Sequence, residues 1–134
     1  MTLTASPLDV VMALLKAMEV KDYDAAMPLI ADDCEYTNVP MATVHGPAAV
    51  RAVLEPFFAP TLRNEFIVQR QACDGPIVFL ERLDRHELGP DRWAELPVTG
   101  VFEVRDGRIV LWRDNFDVAT LVRQWPELQA ALAA

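Results

Sequence analysis

Cysteine and basic residues are scarce in this chain, and each shortage excludes a class of protein. Its two cysteines, Cys34 and Cys73, lie far apart and match neither a zinc-ligand spacing nor a disulfide framework, so we expect two buried free thiols. Only 12 basic side chains oppose 20 acidic ones, which gives a formal net charge of -8. No basic patch offsets this charge, and nucleic acid and anionic lipid surfaces are therefore unfavourable partners.

Long apolar runs are also missing. The first apolar stretch is interrupted by Asp9, Lys16 and Glu19, and no positively charged leader precedes it, so the sequence predicts neither a signal peptide nor a membrane span. A cytoplasmic location is expected by default. The composition is 52% hydrophobic and 24% charged over a length of 134 residues, which is typical of a globular protein with a single domain over residues 1–134.

Helical signals dominate the first part of the chain. Ser6-Pro7-Leu8-Asp9 supplies a capping hydroxyl, a proline in the first turn and an acid three residues past the cap. Pro28 is expected to shorten or bend the second helix, because proline removes a backbone donor. In chain order, the pattern predicts a helix from Ser6 to about Val20, a second helix after Asp22, a strand over Cys34–Val39 and a third helix from Gly46 through Phe57.

The rest of the chain changes to β-type alternation, separated by turn signals such as Asp106-Gly107. This pattern predicts four antiparallel strands and a final helical segment that Pro126 interrupts: Phe66–Ala72, Ile77–Glu87, Arg92–Val104, Ile109–Phe116 and, for the helix, Val118–Ala134. Helices followed by a meander indicate an α+β domain, in which a strongly curved sheet wraps around helices on one side and encloses a conical pocket. Pro97 cannot donate to a central ladder and is expected to mark a bulge or bend.

Polar side chains spaced two apart within apolar strands are the candidates for chemistry. Residues at i and i+2 of a strand share a face. The pairs with this spacing are Tyr36 and Asn38, Arg82 and Asp84, and Trp112 and Asp114. Buried carboxylates are costly unless a partner charge meets them. The planar guanidinium of Arg82 has enough donors to bond Asp84 and Asp114 at once, so it is expected to lie between them.

The register of the last hairpin decides which residue faces Asp114, because a slip of one residue turns every side chain to the other face. A two-residue turn at Asp106-Gly107 would place Thr99 across from Asp114. A three-residue loop would instead set Val98 opposite Asp114 and let Leu96 line the same pocket. We favour the second register because it gives the carboxylate an apolar neighbour, although the sequence is compatible with both.

Three segments stand out in this order along the predicted strands: Tyr36-Thr37-Asn38, Glu81-Arg82-Leu83-Asp84 and Trp112-Arg113-Asp114-Asn115-Phe116-Asp117. In combination they resemble the limonene-1,2-epoxide hydrolase family, and the similarity extends from the first helix through the last. The resemblance implies a cone-shaped α+β fold of the cystatin-like, nuclear transport factor 2-like and SnoaL-like kind, with a mixed or antiparallel sheet, usually in a dimer. Asn115 departs from the pattern, since an aromatic residue is common there.

The resemblance also implies the reaction, which is the addition of water to an epoxide, and a role for each polar residue. A water molecule would be held and deprotonated by Tyr36, Asn38 and Asp114. Asp84 would protonate the epoxide oxygen, and Arg82 would bridge the two acids. The aspartates must then hold different protonation states at one pH. The reaction is redox-neutral and its nucleophile is water, so neither a metal nor another cofactor is expected.

A small apolar epoxide, cyclic or terpene-like, is the substrate that the resemblance and the apolar surroundings imply. The residues expected to contact it are Leu15, Met18, Phe57, Leu96, Val98, Trp112 and Phe116. Neither His45 nor His86 has the spacing of a metal ligand or a catalytic triad, and both are interpreted as incidental. The outward residues Leu83, Val101 and Leu111 would leave an unusually apolar surface, which favours a homodimer.

Two other function classes are compatible with the same fold. An isomerase or cyclase needs one base and an oxyanion hole, and this leaves an arginine between two acids unexplained. A non-catalytic module would bind an apolar small molecule without turnover, and its affinity would survive the replacement of Asp114 by asparagine. Epoxide turnover distinguishes a hydrolase from both.

Overall fold

The computed structural model describes residues 5–128 and has α-helices before, between and after its strands. The bounds of the helices are Pro7–Glu19 (α1), Tyr23–Ala26 (α2, continued by a 3₁₀ turn over Met27–Leu29), Gly46–Phe58 (α3) and Val118–Gln124 (α4). The predicted capping box is present at α1: Ser6 Oγ accepts from the Asp9 N–H at 3.1 Å, and Asp9 Oδ2 accepts from the Ser6 N–H at 3.2 Å. None of the helices within residues 5–128 is long and apolar enough to cross a membrane.

Six strands form one mixed sheet in the described part of the chain. Their bounds are Ile30–Val39 (β1), Val44–His45 (β2), Arg63–Asp74 (β3), Ile77–Gly89 (β4), Arg92–Arg105 (β5) and Arg108–Asn115 (β6). The spatial order is β2-β1-β6-β5-β4-β3; β1 pairs in parallel with β6, and the other neighbours are antiparallel. The parallel pair brings the polar residues of the first long strand beside those of the last.

The hydrophobic core lies between the helices and one face of the sheet. Leu14 and Met18 of α1, Val50 of α3 and Phe102 of β5 are at most 1% exposed. A second cluster under α4 contains Leu96, Val98, Leu121, Trp125 and Leu128. This arrangement of N-terminal helices, a mixed sheet and a C-terminal helix confirms the predicted α+β fold.

Strand β1 begins at Ile30, earlier than the predicted start at Cys34. The side chains of Asp32-Asp33 are both exposed, and the pairing with β6 shifts between Ile30 and Glu35. Two successive outward acids break the period-two alternation by which a strand is found in sequence. The two-residue strand β2 was not predicted because so short a segment carries no periodic signal.

The turn between β5 and β6 differs from the favoured prediction. Asp106 and Gly107 have φ angles of 52° and 75°, and Arg105 pairs with Arg108 across them. Two positive φ values define a two-residue type I′ turn, which Asp-Gly sequences favour. The three-residue loop is therefore wrong, and the rejected two-residue turn is the one observed.

A bulge on β6 then shifts the register of this hairpin. Val110 is an extra residue between Ile109 and Leu111, which pair with adjacent residues of β5. As a result Gly100, and neither Val98 nor Thr99, lies opposite Asp114. Both predicted registers of the hairpin are wrong at the site for this reason.

Pro97 was expected to mark a bulge or bend, and a bulge there is excluded because it pairs with Leu83 on β4 in continuous register. Strand β6 ends at Asn115, which pairs with Thr99, so its pairing does not extend to Pro97. The proline therefore lies on a stretch of β5 that is paired on one side only, where its missing donor is tolerated.

The two thiols of the chain differ in burial. Cys34 is buried as expected, whereas Cys73 is exposed near the end of β3, so the expectation of two buried thiols is wrong for Cys73. Helix α4 ends before Pro126, as predicted. Residues 129–134 of the predicted last segment lie outside the described residues.

Candidate active site

One buried arginine binds two carboxylates on the inner face of the sheet. Arg82 Nε and Nη2 donate to the two oxygens of Asp84 at 3.0 and 2.9 Å. Its Nη1 and Nη2 donate to the two oxygens of Asp114 at 3.2 and 3.1 Å. The side chains of Arg82, Asp84 and Asp114 are 1%, 8% and 9% exposed. The structure thus brings together the three residues that their strand spacing had placed on one surface, and each carboxylate is held in a bidentate pair.

The charge of this buried group favours one proton on the acid pair. With both carboxylates ionised, one arginine leaves a net negative charge out of water, which is costly. Burial raises the pKa of Asp84 to about 6; Arg82 opposes the rise, and the negative charge of Asp114 adds to it. Asp84 therefore keeps its proton to a higher pH than an ordinary aspartate does. No group of three His, Cys, Asp or Glu side chains within residues 5–128 could hold a metal ion.

Gly100 lets the two carboxylates and the arginine approach each other across β5. It lies opposite Leu80 on β4 and opposite Asp114 on β6. A Cβ atom at this position would be 2.7 Å from Asp114 Oδ1 and 2.8 Å from Arg82 Nη1. Only glycine leaves room for the guanidinium to reach Asp114 over the intervening strand. The register shift at the bulge puts this residue there.

A second polar pair lies beside Asp114 on the neighbouring strand β1. The parallel register sets Asn38 next to Asp114 and Tyr36 next to Trp112. Asn38 Nδ2 donates to Tyr36 Oη at 2.9 Å, and the Tyr36 ring lies 4.3 Å from the Trp112 ring between centroids. Burial, aided by the charge of Asp114, raises the pKa of Tyr36 above its ordinary value, so the hydroxyl stays protonated and can donate.

These polar groups open onto a cavity of about 340 Å³ between the sheet and the helices. The residues predicted to contact substrate all line it: Leu15, Met18, Phe57, Leu96, Val98, Trp112 and Phe116. The five predicted catalytic residues line it as well: Tyr36, Asn38, Arg82, Asp84 and Asp114. Most of the wall is thus apolar, and the acid pair and its neighbours form a polar region on it.

His86 was interpreted as incidental, yet it lines the same cavity. It is 2% exposed, and its Nδ1 lies 2.7 Å from Asn64 Oδ1 on β3. A signal was available in the sequence, because His86 continues the alternate row of Arg82 and Asp84 along β4. Its polar partner could not be predicted, since β3 and β4 pair through a bulge near Gln69. Met41 and Ala42, in the loop after β1, also line the cavity and were not predicted.

Fold and site together define an α+β protein of the cone-shaped class with an acid pair inside its cavity. Solved structures of this class align over nearly the whole chain. An NTF2-like protein of unknown function from Cytophaga hutchinsonii aligns with a TM-score of 0.73 at 16% identity, over 90% of this chain and 98% of the other. At this identity the match shows the fold alone.

Closer relatives identify the family. The model of the limonene-1,2-epoxide hydrolase catalytic domain matches residues 5–127. Epoxide hydrolase EphG from Mycobacterium tuberculosis is 38% identical over 106 residues, which cover 79% of this chain and 70% of EphG. The structure of an M. tuberculosis LEH-like epoxide hydrolase aligns with a TM-score of 0.77 at 33% identity, over 95% of this chain and 94% of the other. The chain belongs to the limonene-1,2-epoxide hydrolase family, which confirms the predicted enzyme class.

Proposed function

We propose that this enzyme adds water to a small apolar epoxide in a single acid–base step and releases a vicinal diol without a cofactor. The observation that carries the proposal is the pair of buried carboxylates, Asp84 and Asp114, held on one guanidinium at the wall of an apolar cavity. Epoxide opening needs a proton at the ring oxygen while water loses one. An acid and a base held at fixed positions can supply both transfers together.

The base side of the reaction is assigned to Asp114, with Tyr36 and Asn38 as the groups that hold the water. Asn38 uses its amide N–H to bond the tyrosine hydroxyl, so its Oδ1 is left to accept from the water. The tyrosine O–H can donate to the water oxygen. Asp114 accepts the second water proton as the oxygen attacks carbon. The new C–O bond therefore forms to water, and no ester with Asp114 is made.

The acid side is assigned to Asp84, whose raised pKa allows it to carry a proton at the start. It gives that proton to the ring oxygen as the C–O bond of the epoxide breaks, so the oxygen leaves as a hydroxyl group. One water is consumed, one C–O bond breaks and one forms. The proton then on Asp114 returns to Asp84, directly or through solvent, before the next turnover.

The net charge of Arg82, Asp84 and Asp114 stays constant during this step, because Arg82 balances whichever carboxylate is ionised. At the start the charges are Asp84 neutral, Asp114 negative and Arg82 positive; at the end the two carboxyls have exchanged states. The net charge of the three groups is zero throughout, so no unbalanced charge develops inside the apolar cavity. Because the guanidinium bonds both carboxylates, it stabilises whichever one is ionised.

The cavity supports an apolar substrate of modest size. Its volume of about 340 Å³ lies near the lower end of small-molecule pockets, which span about 300–1,000 Å³. Side chains such as Met18, Phe57 and Leu96 bury the carbon skeleton of such a substrate. A cyclic or terpene-like epoxide matches this volume and this chemistry.

Turnover of cyclic and terminal epoxides, measured with a metal chelator present, tests the proposal. We expect diol from the wild type, and a loss of about 10²–10⁴-fold in rate for Asp84→Asn and for Asp114→Asn. The matched control is Asp106→Asn, an exposed carboxyl in the turn that precedes β6. Diol from both site variants at the wild-type rate would contradict the assignment. No diol from the wild type would favour an isomerase, a cyclase or a binding module.

We also propose that the enzyme is a homodimer that forms through the outer face of the sheet. Phe79 on β4 is 48% exposed and Ile67 on β3 is 42% exposed, and they lie near the partly exposed Leu83, Val101 and Leu111. An apolar surface of this kind is unfavourable in water. Light scattering should give the mass of two chains, and Phe79→Lys should lower it to one. A wild-type monomer would contradict the proposal.

A cytoplasmic location is proposed on the chemistry of the thiols. Cys34 and Cys73 are both free, as expected for a chain kept in a reducing compartment. Fractionation of host cells should recover the protein with a cytoplasmic marker. Recovery with secreted proteins would contradict this location.

A further inference from the structure

We propose that His86 forms a polar subsite in the cavity, where its Nε2 accepts a hydrogen bond from a hydroxyl group of the substrate. The inference rests on the proposed function for the epoxide itself. It adds that the preferred epoxide carries a hydroxyl group at a distance from the ring oxygen. The position of His86, its fixed tautomer and its apolar surroundings carry the inference.

The position of His86 relative to Asp84 sets the distance between the ring oxygen of the ligand and its second polar group. Arg82, Asp84 and His86 alternate on the inner face of β4 and are 2%, 6% and 2% exposed. Two residues of a strand span about 7 Å. Asp84 and His86 both line the cavity, so a ligand with its ring oxygen at Asp84 can present a second group to His86.

A chain of hydrogen bonds behind His86 fixes which ring nitrogen carries the proton. The Phe58 carbonyl can only accept, and Thr61 Oγ1 donates to it at 2.7 Å. The hydroxyl proton is thereby used, so Thr61 Oγ1 accepts from Asn64 Nδ2 at 2.9 Å. Asn64 Oδ1 then faces His86 Nδ1 at 2.7 Å, and this nitrogen must be the donor. Nε2 is left with a lone pair.

The ring stays neutral, and His86 is one of the residues that line the cavity. Burial, together with the positive charge of Arg82, lowers the pKa of His86 to about 4. Among residues 5–128, the only side-chain nitrogen or oxygen that is sealed from solvent without a partner is Trp112 Nε1. No described group bonds His86 Nε2, so this atom is not sealed and can be reached from the cavity. A neutral imidazole nitrogen in this state accepts a hydrogen bond.

The surroundings of His86 make this acceptor selective. Four aromatic rings enclose it at centroid distances of 5.3, 5.7, 6.3 and 6.2 Å: Phe57, Phe58, Phe66 and Trp125. None of these rings carries a conventional acceptor that would compete for the ligand's hydroxyl. The indole N–H of Trp125, although a donor, makes no hydrogen bond to His86. A buried acceptor that a ligand leaves unpaired costs free energy, so a ligand with a donor at this point is favoured over one without.

Two matched pairs of ligands test the subsite. The reactive pair is a cyclohexene oxide with a hydroxyethyl group on the ring carbon opposite the oxirane, and its methyl ether. The inert pair has the same two side chains on cyclohexane, without an epoxide. The ether cannot donate a hydrogen bond but keeps the oxygen. We expect the wild type to favour the alcohol over the ether about ten- to hundredfold, in kcat/KM and in affinity.

Replacement of the acceptor should remove this preference. In His86→Leu, the alcohol-to-ether ratio should fall to about one, because leucine offers no lone pair. Phe66→Leu is the matched control. It alters the same part of the cavity wall but keeps the histidine acceptor, so the alcohol-to-ether ratio should stay high. An unchanged ratio in His86→Leu, or no preference in the wild type, would overturn the subsite.

A measurement on the wild type avoids dependence on how well the variant folds. The chain has two histidines, His45 and His86, so nitrogen NMR of histidine-labelled protein is simple to assign. The inert alcohol should shift the His86 Nε2 resonance, and the inert ether should shift it much less. Equal shifts would count against the subsite. If the inert pair shows the preference but no epoxide is hydrolysed, the proposed reaction fails while the subsite stands.

Discussion

Gly100→Ala is the substitution for which the structure predicts the sharpest effect. The new methyl group would lie 2.7 Å from Asp114 Oδ1, 2.8 Å from Arg82 Nη1 and 3.3 Å from a ring carbon of Phe102. Carbon does not approach polar atoms this closely, so the two charged side chains must move apart or the strand must shift. The hydrogen bond between them, 3.2 Å from Arg82 Nη1 to Asp114 Oδ1, cannot keep its geometry.

The magnitude follows from the groups that are displaced. Relief of both contacts requires movements of several tenths of an ångström, and a misplacement of about 1 Å at a catalytic group costs about 10²-fold in rate. The close contacts are relieved either by overpacking strain or by a weakened charged hydrogen bond, and either route costs about 1–3 kcal/mol in free energy of unfolding. We therefore expect kcat to fall by about ten- to hundredfold, with a destabilisation of about 1–3 kcal/mol.

The assay is initial-rate diol formation from a cyclic epoxide, together with urea unfolding followed by circular dichroism. Gly89→Ala is the matched control, because a Cβ there would meet nothing within 4 Å. It should leave rate and stability nearly unchanged. A Gly100→Ala enzyme with wild-type kcat would refute the account of how Arg82 reaches Asp114.

Further predictions concern protonation, water binding and substrate choice. Because burial raises the pKa of Asp84 from 3.8 to about 6, its proton contributes stability that is full below about 3.8 and is lost as pH rises through about 6. Urea unfolding should therefore show that the wild type loses stability relative to Asp84→Asn between pH 4 and pH 8, and a gain over this range would contradict the prediction. The value of kcat/KM should also fall as pH rises through the apparent pKa of the coupled acid pair. Tyr36→Phe keeps the ring contact with Trp112 but loses the hydroxyl that accepts from Asn38, so kcat should fall about ten- to hundredfold with only about 1 kcal/mol of destabilisation by thermal melting; an unchanged kcat would remove Tyr36 from the water site. Met18→Ala and Phe57→Ala enlarge the cavity, and their kcat/KM ratios between bulky and small epoxides should change more than the rate on the small one; equal losses on all substrates would contradict a role in specificity.

The strand periodicity was sufficient to predict that the two acids and the arginine face the same cavity. Arg82 and Asp84 lie on one strand at an i, i+2 spacing, and this alone sets them on the same face. Their orientation toward Asp114 followed from the expectation that both faces point inward, whereas the contact itself also depends on Gly100 on the intervening strand. These inferences depend on the side-chain period of a strand, which a sequence displays directly.

The features of the site that could not be predicted from the sequence depend on the pairing between strands. The extra residue Val110 changes the neighbour of Asp114 to Gly100, and a bulge leaves no periodic trace. The contact between His86 and Asn64 likewise joins two strands whose register shifts at a bulge, so the histidine was interpreted as incidental. Cys73 was misjudged for a simpler reason: cysteine is usually buried, but β3 extends beyond the packed part of the sheet.

In the proposed reaction, water attacks the epoxide directly, and Asp114 acts as a base and not as a nucleophile. The most direct test is a single turnover of cyclohexene oxide, with enzyme in excess, in water enriched in heavy oxygen. Mass spectrometry of the products should find one heavy oxygen in the diol from this first turnover and none in the peptide that contains Asp114. An unlabelled diol accompanied by heavy oxygen in the Asp114 carboxylate would show an ester intermediate and contradict the claim.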